Sequence, residues 1–268
     1  MSATGAALPR NRFKAALAGP HVQYGMFVGL ADPIAAEIAA GAGFDWIMID
    51  TEHGPNDLRT LLVQLQAAAA SPCSVLVRPY EGDTALIKRI LDLGAQTLVV
   101  PMCESVEQAE ELVAAIRYPP AGVRGVGTSL SRAAQWNRID DYVHLAEREL
   151  CLVLQIESAA ALDHVERIAA VDGVDALFVG PSDLAASMGH IGDAAHPEVR
   201  AAVTGALEVI HRTGTPVGVF ATSVDAAQTY VAAGASFVAV GSDTAMLASA
   251  TSALADLHRG SGAGGSSS

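Results

Sequence analysis

Two carboxylates stand at the ends of two consecutive apolar runs. Glu157 closes Leu154–Gln155–Ile156–Glu157, and Asp183 ends Phe178–Val179–Gly180–Pro181–Ser182–Asp183. An aliphatic run of about four to six residues bounded by a turn reads as a buried parallel strand. Each carboxylate then lies just past the C-terminal end of its strand, where α/β folds gather ligand chemistry. No Lys or Arg is expected nearby to neutralise them. Such a pair suits a hard divalent cation, which takes one or two carboxylates, keeps several waters and leaves positions open for a substrate. Either residue alone also suits helix capping, Glu157 ahead of Ala159–Leu162 and Asp183 ahead of Leu184–Met188.

Other polar side chains fall at strand ends too: Asp50, Glu52 and His53 after one run, Arg78 after the next, and Gln155 and Ser182 beside the two carboxylates. Each has an ordinary structural role available. Asp50 could bond loop amides, Glu52 could cap the next helix, His53 could be a satisfied loop histidine, and Arg78 could pair with Asp50 or Glu52. Together they outline a catalytic mouth. The chemistry that fits is enolisation beside a chelated carbonyl. A cation on Glu157 and Asp183 would bind a 2-oxo acid and act as Lewis acid. Arg78 would add fixed positive charge where the enolate develops. Histidine is the side-chain type that titrates near neutrality, which makes His53 the natural acid/base. Backbone amides after Gly180–Pro181 open a helical turn and could hold a carboxylate.

The elements that must position these groups alternate along the chain. Strands are expected at Tyr24–Leu30, Trp46–Asp50, Ser74–Arg78, Thr97–Val100, Leu152–Ile156, Ala176–Val179, Pro216–Phe220 and Phe237–Val240. Helices are expected from Pro33 to Ala42, through Ala70, from Asp83 to Leu93, to Ile116 behind a Ser105 cap, and over Asp140–Glu149. The remaining ones are Ala159–Ala170, Pro197–Thr213, Val224–Ala233 and Thr244–Leu257. Asn11–Ala18 reads as a short amphipathic plug, and Arg117–Asn137 as a long irregular segment. Parallel neighbours need crossover helices, so eight such units predict a (β/α)8 TIM barrel over residues 1–259. An open doubly wound sheet is disfavoured, because no Gly-x-Gly-x-x-Gly follows the first strand. The Gly/Ser-rich tail from Gly260 to Ser268 is expected to be disordered.

Composition agrees with a single large enzyme domain. The chain has 268 residues, is 51% hydrophobic and carries a formal charge of −13, with mean hydropathy +0.33. No basic cluster accompanies that charge, which argues against nucleic acid as a partner. No apolar segment approaches the ~18 residues of a membrane span, and the N-terminus shows no signal-peptide pattern. Three widely spaced cysteines (Cys73, Cys103 and Cys151) form no zinc pattern and fit a reducing cytoplasm.

The motifs Asp50-Thr-Glu-His53-Gly-Pro-Asn, Val77-Arg78-Pro79, Leu98-Val-Val-Pro-Met102, Arg117-Tyr-Pro-Pro-Ala-Gly-Val-Arg-Gly-Val-Gly127, Gln155-Ile-Glu157 and Gly180-Pro-Ser-Asp-Leu184 resemble one known family. The chain from about Phe13 to Leu257 is similar to the metal-dependent class II pyruvate aldolases, nearest in type to 4-hydroxy-2-oxoheptanedioate aldolase. The resemblance implies a TIM barrel built into a homo-hexamer (a trimer of dimers), with the last helix exchanged between subunits. It implies metal ligands Glu157 and Asp183 for Mg2+, Mn2+ or Co2+. Substrate contacts follow from Gln155, Gly180, Pro181, Ser182, Asp183 and Phe220. Arg78 and His53 are the implied catalytic groups, with Asp92 making His53 more basic. The activity implied is reversible cleavage of a 4-hydroxy-2-oxo acid to pyruvate, or a related 2-oxo acid such as hydroxypyruvate, and an aldehyde. Phe27, Thr51 and Phe220 depart from the family type near the mouth, which bears on the aldehyde more than on the reaction. Two rivals remain at this level: a lyase of acyl-CoA β-hydroxy acids on a similar barrel, and a non-catalytic barrel that binds 2-oxo acids. Asp92 also carries a second reading. It falls near the end of its helix, at the bottom of a barrel, so it would reach His53 only from a neighbouring subunit; otherwise it balances Lys88.

Overall fold

The computed structural model describes residues 5–262. Eight parallel strands close into a barrel in chain order. They are β1 (Gln23–Val28), β2 (Trp46–Asp50), β3 (Ser74–Arg78), β4 (Thr97–Val100), β5 (Cys151–Ile156), β6 (Ala176–Val179), β7 (Val217–Phe220) and β8 (Phe237–Ser242). Pairing of Gln23 with Phe237 and Tyr24 with Val238 seals the ring. The helices are α1 (Arg12–Leu17), α2 (Pro33–Gly41), α3 (Leu58–Ala67), α4 (Thr84–Asp92), α5 (Val106–Ile116), α6 (Tyr142–Leu145), α7 (Ala159–Leu162), α8 (Val165–Ala169), α9 (Pro181–Ser187), α10 (Pro197–Thr213), α11 (Val224–Ala232) and α12 (Asp243–Gly262). This is the expected (β/α)8 barrel.

Short polar residues start the helices. Asp32, Asp57, Asp83, Ser105, Ser158 and Ser223 each accept backbone N–H groups as N-caps, a contact worth about 1 kcal/mol. Three expectations are corrected. The helix expected over Ala159–Ala170 breaks into α7 and α8, because Asp163 N and His164 N bond back only three residues, to Ala160 O and Ala161 O. The Asp140–Glu149 helix is one short α turn followed by a 3-10 turn at Ala146–Glu149. Helix α12 continues through Gly262, past the expected start of the tail. The rest of that tail lies outside the described residues.

Strand alternation sorts the side chains into two layers. Outward residues such as Ile49, Val77, Leu98, Leu152, Leu154, Val179, Val219 and Val238 pack against the surrounding helices. Inward residues fill the barrel: Trp46, Met48, Leu76, Val99, Cys151, Val153, Phe178 and Phe237. Gly25 and Gly218 leave room for two of them, since a Cβ at either would strike the Trp46 or Phe237 ring. Helix α1 plugs the bottom as expected. Its Phe13 is fully buried edge-on to Phe237, 5.2 Å between ring centroids, and to Trp46 at 6.3 Å. The same period of two carries the inward face up to Asp50, Arg78, Gln155 and Glu157. The functional residues are therefore the top layer of the barrel's own interior.

Helix α12 differs from the others. Every residue from Thr244 to Arg259 is exposed, including Leu247 at 53% and Leu254 at 59%. Its first residue ties it down, for Asp243 Oδ1 and Oδ2 accept from Gly29 N (2.8 Å) and Leu30 N (3.1 Å). Among the described residues, no helix is long and apolar enough to cross a membrane.

The plug has a measurable weight. Phe13→Ala is expected to lower the free energy of unfolding by about 3–5 kcal/mol, the usual cost of deleting a buried phenyl ring. Denaturant titration of both proteins checks this; a loss under about 1 kcal/mol would show that the barrel bottom closes without α1.

Candidate active site

The loop after β2 is wound around its last residue. Asp50 Oδ1 accepts from Glu52 N (3.0 Å) and His53 N (3.4 Å), and Asp50 O accepts from Asn56 Nδ2 (2.7 Å). Thr51 joins this loop to β3 through Oγ1, which donates to Arg78 O at 2.7 Å. The Arg78 guanidinium then grips Asp50 at two points, Nε to Oδ1 at 2.9 Å and Nη2 to Oδ2 at 2.7 Å. Burial would raise the Asp50 carboxyl, but the Arg78 bonds and charge outweigh it and hold the group below its ordinary value. Burial likewise works against the Arg78 charge, and Asp50, Glu52 and Glu157 more than restore it.

Glu157 is buried at the end of β5. Its Oε1 accepts from Met102 N and its Oε2 from Gln155 Nε2, each at 2.7 Å. Met102 reaches it from the β4 end with φ +55, a left-handed conformation uncommon for a residue with a side chain. The space is shared closely with β6. A Cβ at Gly180 would lie 2.5 Å from Glu157 Oε2, so a side chain here would push the Glu157 carboxylate out of its place. Desolvation pushes the Glu157 carboxyl up to about 7; Glu52 and Asp183 push the same way, while Met102 N–H and Arg78 oppose. Glu52 is raised by burial and by the charges of Asp50 and Asp183, against Arg78 and His53. Its Oε2 is 3.0 Å from Arg78 Nη1 but lacks hydrogen-bond geometry and remains buried. Gln155 Oε1 is a second buried atom with no protein partner.

These groups meet above an aromatic floor. Phe27 and Phe220 stand edge to face at 5.2 Å, and Arg78 Cζ lies 5.1 Å from the Phe27 ring centroid. His53 is at the rim with its side chain 65% exposed, Nε2 3.7 Å from Glu52 Oε2. Pro181, Ser182 and Asp183 form the first turn of α9, with Ser182 and Asp183 exposed toward solvent. The expectation that no cation stands near the carboxylate pair needs correction, since Arg78 acts on Glu157. Even so, one guanidinium already matched by Asp50 faces both Glu52 and Glu157, and the Asp183 charge acts on the same two carboxyls. The surplus negative charge, the all-oxygen donor set and the unpartnered Gln155 Oε1 fit a hard divalent cation.

Asp92 lies elsewhere. Its Oδ1 accepts from Arg124 Nη2 at 3.1 Å, and its carbonyl accepts from Ala133 N (3.1 Å) and Ser131 Oγ (3.2 Å). Its partner is thus Arg124 in the 117–137 segment, not Lys88. Sequence reasoning missed the Met102 amide, because a backbone donor leaves no residue-type signal. Glu52 was read as a rim residue, a helix cap or a partner of Arg78; the last of these holds, and its charge is also part of the cluster.

The HpcH/HpaI aldolase/citrate lyase family matches residues 23–250. A hydroxypyruvate/pyruvate aldolase of Pseudomonas aeruginosa is 52% identical over 221 residues, covering 82% of each chain. A 4-hydroxy-2-oxo-heptane-1,7-dioate aldolase of Salmonella paratyphi A is 49% identical over 210 residues, covering 78% of this chain and 80% of its own. The crystal structure of an HpcH/HpaI aldolase/citrate lyase family protein from Burkholderia cenocepacia J2315 superposes with a TM-score of 0.89 at 41% identity, covering 93% of this chain and 99% of that one. On these matches, the chain belongs to the HpcH/HpaI aldolase/citrate lyase family.

Proposed function

We propose that this protein reversibly cleaves 4-hydroxy-2-oxo acids to pyruvate, or a related 2-oxo acid such as hydroxypyruvate, and an aldehyde. The observation that carries this reading is the buried carboxylate cluster around one Asp50-locked arginine at the barrel mouth. The relatives' activities supply the choice of donor, pyruvate or hydroxypyruvate, and the reaction class.

Glu157 and Asp183 would hold the divalent cation, Mg2+, Mn2+ or Co2+. When bound, it supplies Lewis-acid polarisation of the keto group of the 2-oxo acid. Gln155 Oε1 is available to a polar ligand group beside it. His53 accepts the proton of the C4 hydroxyl. The C3–C4 bond then breaks, its electron pair passes into the enolate of the 2-oxo acid, and the aldehyde departs. Arg78, oriented by Asp50, faces the charge that develops, and a proton delivered to C3 completes pyruvate. Phe27 and Phe220 shield this step from water from below. A Schiff-base route lacks its nucleophile. The chain has two lysines; Lys14 Nζ pairs with Asp175 Oδ1 at 2.9 Å at the plugged end, and Lys88 lies within α4. The acyl-CoA alternative lacks a free basic groove: Arg124 is buried on Asp92, Arg132 Nη1 donates to Leu93 O, and Arg138 lies over Trp136.

Three expected outcomes follow. Cleavage of 4-hydroxy-2-oxo acids, followed through pyruvate reduction by lactate dehydrogenase, should stop with EDTA and resume with Mg2+, Mn2+ or Co2+. Full activity in metal-free protein would refute the reading. The cation must also displace the proton from Glu157. Because its folded pKa is raised to about 7, the proton is held below that pH and lost above it. Without a cation, the stability linked to that proton fades as pH climbs from the ordinary carboxylate range through about 7. The thermal stabilisation given by Mg2+ should therefore grow with pH through the same window and disappear in Glu157→Gln.

The third outcome concerns assembly. Asp92 and His53 are proposed to pair between subunits of a hexamer that also exchanges α12. Two observations support this: Asp92 is held at α4's C-terminal end by Arg124, and α12 lies exposed on its own barrel. Purified His53→Ala and Asp92→Ala, dissociated and reassembled together, should regain activity above either parent. Mixed oligomers, confirmed by native mass spectrometry, without any gain would rule the pairing out.

A further inference from the structure

We propose that His190, His196 and Glu198 form a second cation site, away from the barrel mouth, for a borderline divalent ion of the Zn2+ type. Their ligating atoms all lie within 4.8 Å of one another. His190 Nε2 is 3.1 Å from Glu198 Oε2. The two imidazoles stack with centroids 3.6 Å apart and planes 16° from parallel.

The local chain builds this meeting. Gly189 and Gly192 take φ +85 and +80, which lets the segment after α9 turn twice within a few residues. Three backbone bonds fix the result: His190 N to Ala185 O at 2.7 Å, Asp193 N to His190 O at 3.0 Å, and His196 N to Asp193 O at 3.1 Å. His196 is then the N-cap of α10, where its Nδ1 accepts from Glu198 N at a long 3.3 Å. His190 lies beyond the C-terminal end of α9, while Asp183 sits in the first turn of that helix. The two sites are thus at opposite ends of one short helix.

The donor sets differ in kind. The mouth offers oxygen only, which favours a hard ion. Two imidazoles and a carboxylate favour Zn2+, with water as the fourth ligand. Zn–N and Zn–O bonds of about 2.0–2.2 Å put ligand atoms roughly 3.3 Å apart in a tetrahedron. The present spread therefore closes by a modest rotation of two partly exposed imidazoles and an exposed carboxylate. Coordination takes over the ring lone pair now spent on the long cap bond. A bound ion would pin the 188–196 segment to the first turn of α10.

Equilibrium dialysis of the full chain against Zn2+ in large excess of Mg2+ tests this, with Zn2+ read by elemental analysis. Wild type should retain one more Zn2+ per chain than His190→Gln/His196→Gln. Glu198→Gln should bind that ion at least about tenfold more weakly. Mg2+-supported aldol cleavage should be unchanged in both. Equal Zn2+ retention by wild type and a double variant of matching circular dichroism would overturn the proposal. Should the double variant fail to fold, unchanged Zn2+ affinity in Glu198→Gln, a surface change, would overturn it as well.

Discussion

The barrel mouth depends on one buried ion pair, Arg78 with Asp50. Both residues are about nineteen-twentieths buried, so neither charge has water to fall back on. Removing one partner of such a pair typically costs about 3–5 kcal/mol. The two-point contact also fixes direction. With Nε and Nη2 committed to Asp50, the Nη1 corner faces Glu52. The carboxylate that aims the arginine also holds the amides of Glu52 and His53, so the loop bearing the proposed proton carrier is set by the same contact.

What the pair leaves over is negative charge. Asp50 neutralises Arg78, and burial together with the neighbouring charges of the cluster then raises the carboxyls of Glu52 and Glu157, against the opposing pull of Arg78. A buried cluster of that sign favours protons or a divalent ion. The Met102 amide, brought in at φ +55, and the bare Cα of Gly180 both serve the position of Glu157. Backbone strain and a missing side chain are tolerated there because the carboxylate has to occupy that space.

Much of this was legible in the sequence, for reasons that differ by residue. The runs at Trp46–Asp50, Ser74–Arg78, Thr97–Val100 and Ala176–Val179 match their strands to the residue, because each hydrophobic run stops abruptly, the first two at a charge and the others before Pro101 and Gly180. The same run ends put Asp50, Arg78, Gln155 and Glu157 together on one rim of the barrel. The partner of Arg78 was not legible. Asp50, Glu52 and a substrate all suited it, and only the side-chain geometry decides for Asp50 with Glu52 alongside. The break between α7 and α8 left no proline or glycine to announce it. The Asp92–Arg124 contact joins residues on separate segments, which no local pattern reports.

The central claim is that Arg78 and a carboxylate-held cation together stabilise the enolate of a 2-oxo acid. Exchange of the C3 protons of pyruvate in D2O, followed by proton NMR, reads that step without any aldehyde. Wild type with Mg2+ is expected to exchange. EDTA should stop the exchange, and Arg78→Lys, which keeps the charge but loses the two-point grip on Asp50, should slow it by about a hundredfold or more. Exchange that persists unchanged in EDTA, or in folded Arg78→Lys, would contradict the claim.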